Sequence, residues 1–165
     1  MDARPLLAEV ARRMNEARLD AVLIGNAAAA LRGAPVTTVD FDFMFRRTPR
    51  NLAKLKAVAG TLRATILRPY YPASDLYRVV RDDDGLQVDF MVTIHGVRSF
   101  EGLRSRAVRM EIDGVPLLVA ALGDIIKSKR AARRPRDLAV LEILEKTFEE
   151  STKSAGQTRR RPPRE

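Results

Sequence analysis

Apolar residues recur at helical spacing at both ends of the chain and at strand spacing in its middle. Pro5 to Ala17 places Leu6, Leu7, Val10, Ala11 and Met14 on one side and basic residues on the other, which predicts an amphipathic helix. Leu19 to Ile24 is a short apolar run ended by Gly25-Asn26, the pattern of a buried strand, and the alanine-rich Ala27 to Arg32 predicts a helix stopped by Gly33 and Pro35. Val39 to Phe45 alternates like a strand. Thr48 then caps a helix with Pro49 at its first position, carrying Leu52, Leu55 and Val58 inward as far as Gly60.

Residues 61–76 read as irregular, with a short strand at Thr65-Ile66-Leu67. Leu76 to Arg81 and Leu86 to Val92 flank the turn Asp82-Asp83-Asp84-Gly85. Val108 to Ile112 and Val115 to Val119 flank Asp113-Gly114, the strongest hairpin signal in the chain. Phe100 to Arg104 predicts a short helix. Leu122 to Ala132 and Pro135 to Phe148 predict two more, separated near Arg133-Arg134-Pro135. No internal repeat is evident. The elements sum to one mixed α/β domain over residues 1–149, with helices packed on a mostly antiparallel or mixed sheet.

The 165 residues are 45% hydrophobic and 31% charged, which suits one globular domain, and 5% aromatics with no Trp call for an aliphatic core. Absence of cysteine excludes a disulfide framework and a thiolate zinc site, and makes a reducing cytoplasm the expected location. No apolar run approaches the ~18–20 residues of a membrane span, and the N-terminus lacks the pattern of a secretory signal. The net charge of +9 points toward polyanions. Residues 151–165 hold five basic side chains against Glu165 alone, with almost no apolar residues, so residues 150–165 are expected to be a basic, disordered tail. A second basic cluster, Lys127 to Arg136, lies within apolar-periodic helices; it suits an anionic substrate or is a solvated face.

Candidate chemistry begins with Asp40-Phe41-Asp42. On a strand the two carboxylates project together while Val39, Phe41 and Phe43 face the core, and they stand roughly 6–7 Å apart along the chain. A hard divalent cation such as Mg2+ would relieve their repulsion. Asp89, between apolar neighbours in Gln87-Val88-Asp89-Phe90-Met91, is either an ordinary strand acid or a third carboxylate completing a two-metal site. Gly25 at a strand–helix junction lets the backbone approach a ligand, a helix N-terminus offers N–H groups to an anion, and Asn26 is a suitable N-cap. Asp137 sits near a helix start, where the macrodipole favours an acid regardless of function. His95, the single histidine, supports neither a Ser/His pair nor a histidine metal site. Tyr70, Tyr71 and Tyr77 are expected to pack in the core or at its rim.

The ordered set Gly25-Asn26, Asp40-Phe41-Asp42 and Asp89 resembles the nucleotidyltransferase (DNA polymerase β-like) superfamily. Val22–Phe43 is similar to small stand-alone bacterial members, including those related to abortive-infection and toxin–antitoxin nucleotidyltransferases. Residues 122–141 resemble their C-terminal helical motif, in which a Lys and an Arg-Asp pair recur. The resemblance implies an α+β fold, a mixed sheet flanked by helices and followed by a helical pair. It implies that Asp40 and Asp42 hold Mg2+ and through it an NTP, and that Asp89 completes the metal site and helps deprotonate an acceptor hydroxyl. It further implies that Gly25 and Asn26 approach the β/γ-phosphates, that Lys129 or else Lys127 neutralises phosphate charge, and that Asp137 orients that lysine or the helix. Asn26 departs from the family's Gly or Ser. The implied acceptor is a hydroxyl, tRNA among the candidates, and a toxin held by an antitoxin partner is one implied role. The alternative is a catalytically inactive member acting as a basic RNA-binding or regulatory module.

Overall fold

The computed structural model describes residues 3–38 and 40–158. Helix α1 (Arg4–Ala17) buries Leu7, Ala8, Val10, Ala11 and Met14, and ends where Arg18 turns left-handed. Strand β1 (Ala21–Ile24) runs without a loop into α2 (Gly25–Leu31). Strand β2 (Phe41–Phe45) follows, and Thr48 caps α3 (Pro49–Thr61) by accepting a 3.1 Å bond from the Asn51 amide. The chain continues through β3 (Thr65–Leu67), β4 (Tyr77–Arg81), β5 (Leu86–Met91) and α4 (Phe100–Arg106). It then forms the hairpin β6 (Val108–Ile112) and β7 (Val115–Val119), and closes with α5 (Leu122–Ala132) and α6 (Pro135–Thr158).

The seven strands form one mixed sheet in the order β3-β4-β5-β2-β1-β7-β6. The hairpins are antiparallel, as is β1 with β2, whereas β2 runs parallel to β5 and β1 to β7. Asp113 and Gly114 both have positive φ (48° and 77°), the geometry that a two-residue hairpin turn requires. Helices α1 and α3 pack together, while α2 lies against β1, β2 and α5, which in turn packs on α6.

The core of β2 and β5 is aromatic. Phe41, Phe43, Phe45 and Phe90 are buried, Phe43 stacks on Phe90 at 5.3 Å, and Phe45 meets Phe90 and Tyr77 edge-on. Since a strand's side chains alternate, this packing fixes which face Asp42 and Asp89 occupy. Asn51 secures the sheet's other end. It is buried, accepts from the Asp20 amide at 2.9 Å, and donates to the carbonyls of Asp20 (3.0 Å) and Arg46 (2.6 Å).

Three expectations are corrected. Strand β2 begins at Phe41, so Asp40 precedes it; β1 ends opposite Asp42, so its pairing with β2 stops there, and Val39 lies outside the described residues. Asn26 is not an N-cap. Gly25 turns the chain within one residue, so the helix is already under way at Asn26, and its Oδ1 is buried without a hydrogen-bond partner among the described residues. The last helix does not stop at Phe148. It continues to Thr158 through the first part of the segment expected to be disordered, with Ser151 and Thr152 hydroxyls bonding back to carbonyls four residues earlier; residues 159–165 lie outside the described residues.

Replacing Asn51 with Ala removes three bonds and leaves the Asp20 amide without its partner, while the Asp20 and Arg46 carbonyls keep the amides of Arg46 and Thr48. The expected loss is about 2–4 kcal/mol in urea unfolding at neutral pH, with the far-UV spectrum of the folded state retained.

Candidate active site

A cleft of about 560 Å3 opens at the end of β1, β2 and β5. Its walls include Gly25, Asn26, Asp40, Asp42, Asp89, Lys129 and Asp137, so all seven residues singled out in the sequence converge on it. Lys127 does not line it and is exposed, which separates the two lysine candidates.

Parallel pairing of β2 with β5 sets Asp42 directly beside Asp89, and Asp40 stands at the mouth of the same strand. Gly25 makes this closeness sterically feasible. At φ +69° it occupies the left-handed region, and a Cβ there would lie 3.0 Å from Asp42 Oδ2. Burial pushes the Asp42 carboxyl up to about 6, the charges of Asp89 and Asp40 push in the same direction, and Lys129 and Arg134 pull it partly back. Asp40 is exposed and sits in a turn in which Thr38 Oγ1 accepts from its amide at 3.2 Å.

Asp89 is buried and already paired. Both its oxygens accept from Arg78, Nε at 2.9 Å and Nη2 at 3.1 Å. The antiparallel register sets Arg78 opposite Asp89, and the carboxylate holds the guanidinium above its usual range. Asp40 and Asp42 fit a hard cation, being oxygen donors whose negative charge nothing in contact neutralises. Asp89 fits one only when released from Arg78, and no cluster of three His, Cys, Asp or Glu arranged to hold a metal occurs among the described residues.

On the opposite wall, α5 and α6 meet through Asp137. This buried carboxylate accepts from Arg134 Nε at 2.6 Å and from Lys129 Nζ at 3.4 Å. Burial opposes its charge, but the two cations outweigh burial and hold it below the usual carboxylate range. Lys129 is thereby held at the cleft wall by Asp137.

Sequence reasoning missed Arg78 and Asp124, and gave Arg134 only as one member of the Lys127–Arg136 basic cluster. Asp124 is a buried cleft residue whose Oδ2 accepts from Arg106 Nε at 2.8 Å. Arg78 was accessible, because counting back from the Asp82–Gly85 turn pairs residue 78 with 89. Asp124 carried no signal beyond being an acid in a helix's first turn. Tyr77 packs in the core and Tyr70 stands at the cleft rim, while exposed Tyr71 lies under the Arg68 guanidinium at 4.4 Å. His95 is an exposed residue on the rim.

With this geometry in view, a family described as nucleotidyl transferase of unknown function (DUF2204) matches residues 3–160. The chain belongs to this nucleotidyl transferase family. No curated protein matches it by sequence. Among solved structures, ANT(2'')-Ia in complex with adenylyl-2''-tobramycin is 16% identical with a TM-score of 0.61, covering 94% of this chain and 97% of that one. TM1012 of Thermotoga maritima, described as a candidate nucleotidyltransferase, is 18% identical with a TM-score of 0.58 and covers 88% and 92%. An antigenic nucleotidyltransferase-like protein from Paracoccidioides brasiliensis is 15% identical, with a TM-score of 0.54 and coverage of 86% and 74%. These likenesses establish the nucleotidyltransferase fold, a mixed sheet flanked by helices. No helix among the described residues is long and apolar enough to cross a membrane.

The raised Asp42 carboxyl gives a signed prediction for the metal-free protein. A carboxyl whose folded-state pKa exceeds its unfolded value of 3.8 binds protons more tightly when folded, so its contribution to stability is present below pH 4 and is lost as pH rises through about 6. In EDTA, Asp42→Asn should therefore stabilise the chain by about 1–3 kcal/mol at pH 7.5 and by much less at pH 4, read from urea midpoints at the two pH values.

Proposed function

We propose that the protein is a Mg2+-dependent nucleotidyltransferase that moves a nucleoside monophosphate from an NTP to a hydroxyl acceptor. The observation that carries the reading is the juxtaposition of Asp42 and Asp89 across β2 and β5, with Asp40 at the strand mouth and Lys129 facing them.

Asp40 and Asp42 are the residues to hold the cation. Bound there, it would offset the carboxylate and triphosphate charges and draw negative charge from the transferring phosphoryl group. Gly25 keeps the backbone low enough for the triphosphate to approach, Asn26 presents its side-chain amide at the start of α2, and Lys129 supplies positive charge from the opposite wall. The acceptor oxygen attacks the α-phosphorus, the bond to pyrophosphate breaks, and Asp89 takes the hydroxyl proton once it has parted from Arg78. Positioning and fixed charge account for most of the acceleration in such a site. The net charge of +9 favours RNA, tRNA included, as acceptor.

One observation supports a second reading, that of a catalytically silent RNA-binding or regulatory module: Arg78 occupies both oxygens of the carboxylate that would act as base. Labelled NTPs, Mg2+ and total RNA discriminate. The enzyme transfers label, and Asp40→Ala or Asp42→Ala lowers transfer by about 10²-fold or more. Undiminished transfer in both variants would sink the metal assignment. RNA binding indifferent to Mg2+ and to Asp42→Ala, with no label transferred, would favour the module. A narrower version of the enzyme reading is a cytoplasmic toxin restrained by an antitoxin partner. Expression of the wild type should then arrest growth, and Asp42→Ala should relieve the arrest; equal growth of both strains would remove that role.

A further inference from the structure

The third carboxylate of the site already has a cation, and it belongs to the protein. Three side chains lie in a row across the sheet: Arg78 on β4, Asp89 on β5 and Asp42 on β2, each opposite the next in register. Arg78 grips Asp89 with two parallel bonds, the geometry in which a planar guanidinium best matches a carboxylate. Neither Asp40 nor Asp42 forms an ion pair or side-chain hydrogen bond within the described residues, although both face the same cleft.

Charge is therefore distributed unevenly over three acids. Asp89 is neutralised in place, while Asp42 carries the burden of its neighbours. A divalent ion reaching Asp89 has to displace a bidentate guanidinium, whereas one reaching Asp40 and Asp42 displaces no side chain. Arg78 also has somewhere to go. It lines the cleft, its side chain keeps 25% of its exposure, and its guanidinium carbon lies 6.0 Å from the ring of Tyr70 on the cleft rim.

We infer that Arg78 is a latch on Asp89: without nucleotide the protein takes a single divalent cation, on Asp40 and Asp42, and Asp89 joins the site only when Arg78 lets go of it and turns into the cleft it lines. The inference rests on the nucleotidyltransferase reading and adds a condition to it, namely that the third carboxylate is withheld until substrate is present. Arg78 acts through Asp89 and is a positioning residue. A guanidinium serving only to staple the β4–β5 hairpin would alter stability and leave cation binding untouched.

Mn2+ titrated into the full-length chain without nucleotide, with free ion counted by electron paramagnetic resonance, separates these cases. The wild type should bind one ion per chain and Arg78→Gln two. Arg78→Gln combined with Asp89→Asn should return to one. Because Arg78→Gln leaves a buried carboxylate unpaired and can unfold, Asp89→Asn alone provides an independent decision. It should bind Mn2+ within about twofold of the wild type, since a resting ligand's loss would weaken binding by about tenfold or more. Two ions on the wild type, one on folded Arg78→Gln, or a tenfold loss in Asp89→Asn each overturns the latch. No Mn2+ on the wild type overturns it too, and if ATP with Mg2+ also fails to bind, the nucleotidyltransferase reading falls with it.

Discussion

Repulsion among carboxylates held side by side on β2 and β5 is the constraint around which the rest of the molecule is arranged. Asp42 and Asp89 are neighbours only because the two strands run parallel in one register, and that register is enforced from beneath by Phe41, Phe43, Phe45 and Phe90. A slip of one residue would turn the acids into the core and the rings into the cleft. Burying each ring contributes about 1.5–3 kcal/mol, so four rings outweigh a repulsion of about 4 kcal/mol between unit charges in a partly screened cleft. The hydrophobic layer thus maintains a charge arrangement that would not assemble by itself.

What the rings enforce, the arginines make tolerable. Asp89 has Arg78, Asp137 has Arg134 and Lys129, and Asp124 has Arg106. On the far side Asp20 joins Arg46 and Arg104, while Arg46 also reaches Glu101. The pairs on the buried Asp89, Asp124 and Asp137 contribute little net stability against apolar packing, yet losing one partner is costly. Their value is geometric: each fixes where a carboxylate points. Asp40 and Asp42 stand outside this scheme, and burial together with the neighbouring carboxylates drives Asp42 well above its ordinary range.

The legible parts of the chain were those governed by local periodicity. Helix α5 and the hairpin of β6 and β7 have the predicted limits, and Thr48 and Pro49 start α3 as their chemistry dictates. The candidate site residues could be picked out together because Asp42 breaks an apolar strand, Asp40 stands just before it, and Gly25 follows the end of another. Sheet order was not legible, since no local pattern states that β5 inserts between β4 and β2. The Asp42–Asp89 contact follows from that order alone, although the family resemblance implied it. Helix α6 outran its expected end because solvent-facing positions tolerate polar composition once a helix is anchored by packing, here through buried Leu144.

Paired charges and lone polar groups differ in how freely they can change. Replacing Arg78 strands Asp89, and replacing Asp137 strands two cations, so such positions are coupled to the fold. Gln87, Thr93, Ser128 and Arg136 also line the cleft, but their side chains make no hydrogen bond or ion pair with other described residues. Each can be exchanged without leaving a buried group unsatisfied. Strand register and ion pairing tie the row of Arg78, Asp89 and Asp42 to the fold and leave these wall positions independent of it. On the proposed reading, discrimination between acceptors can therefore alter at the walls at little cost in stability, while Asp89 stays tied to Arg78.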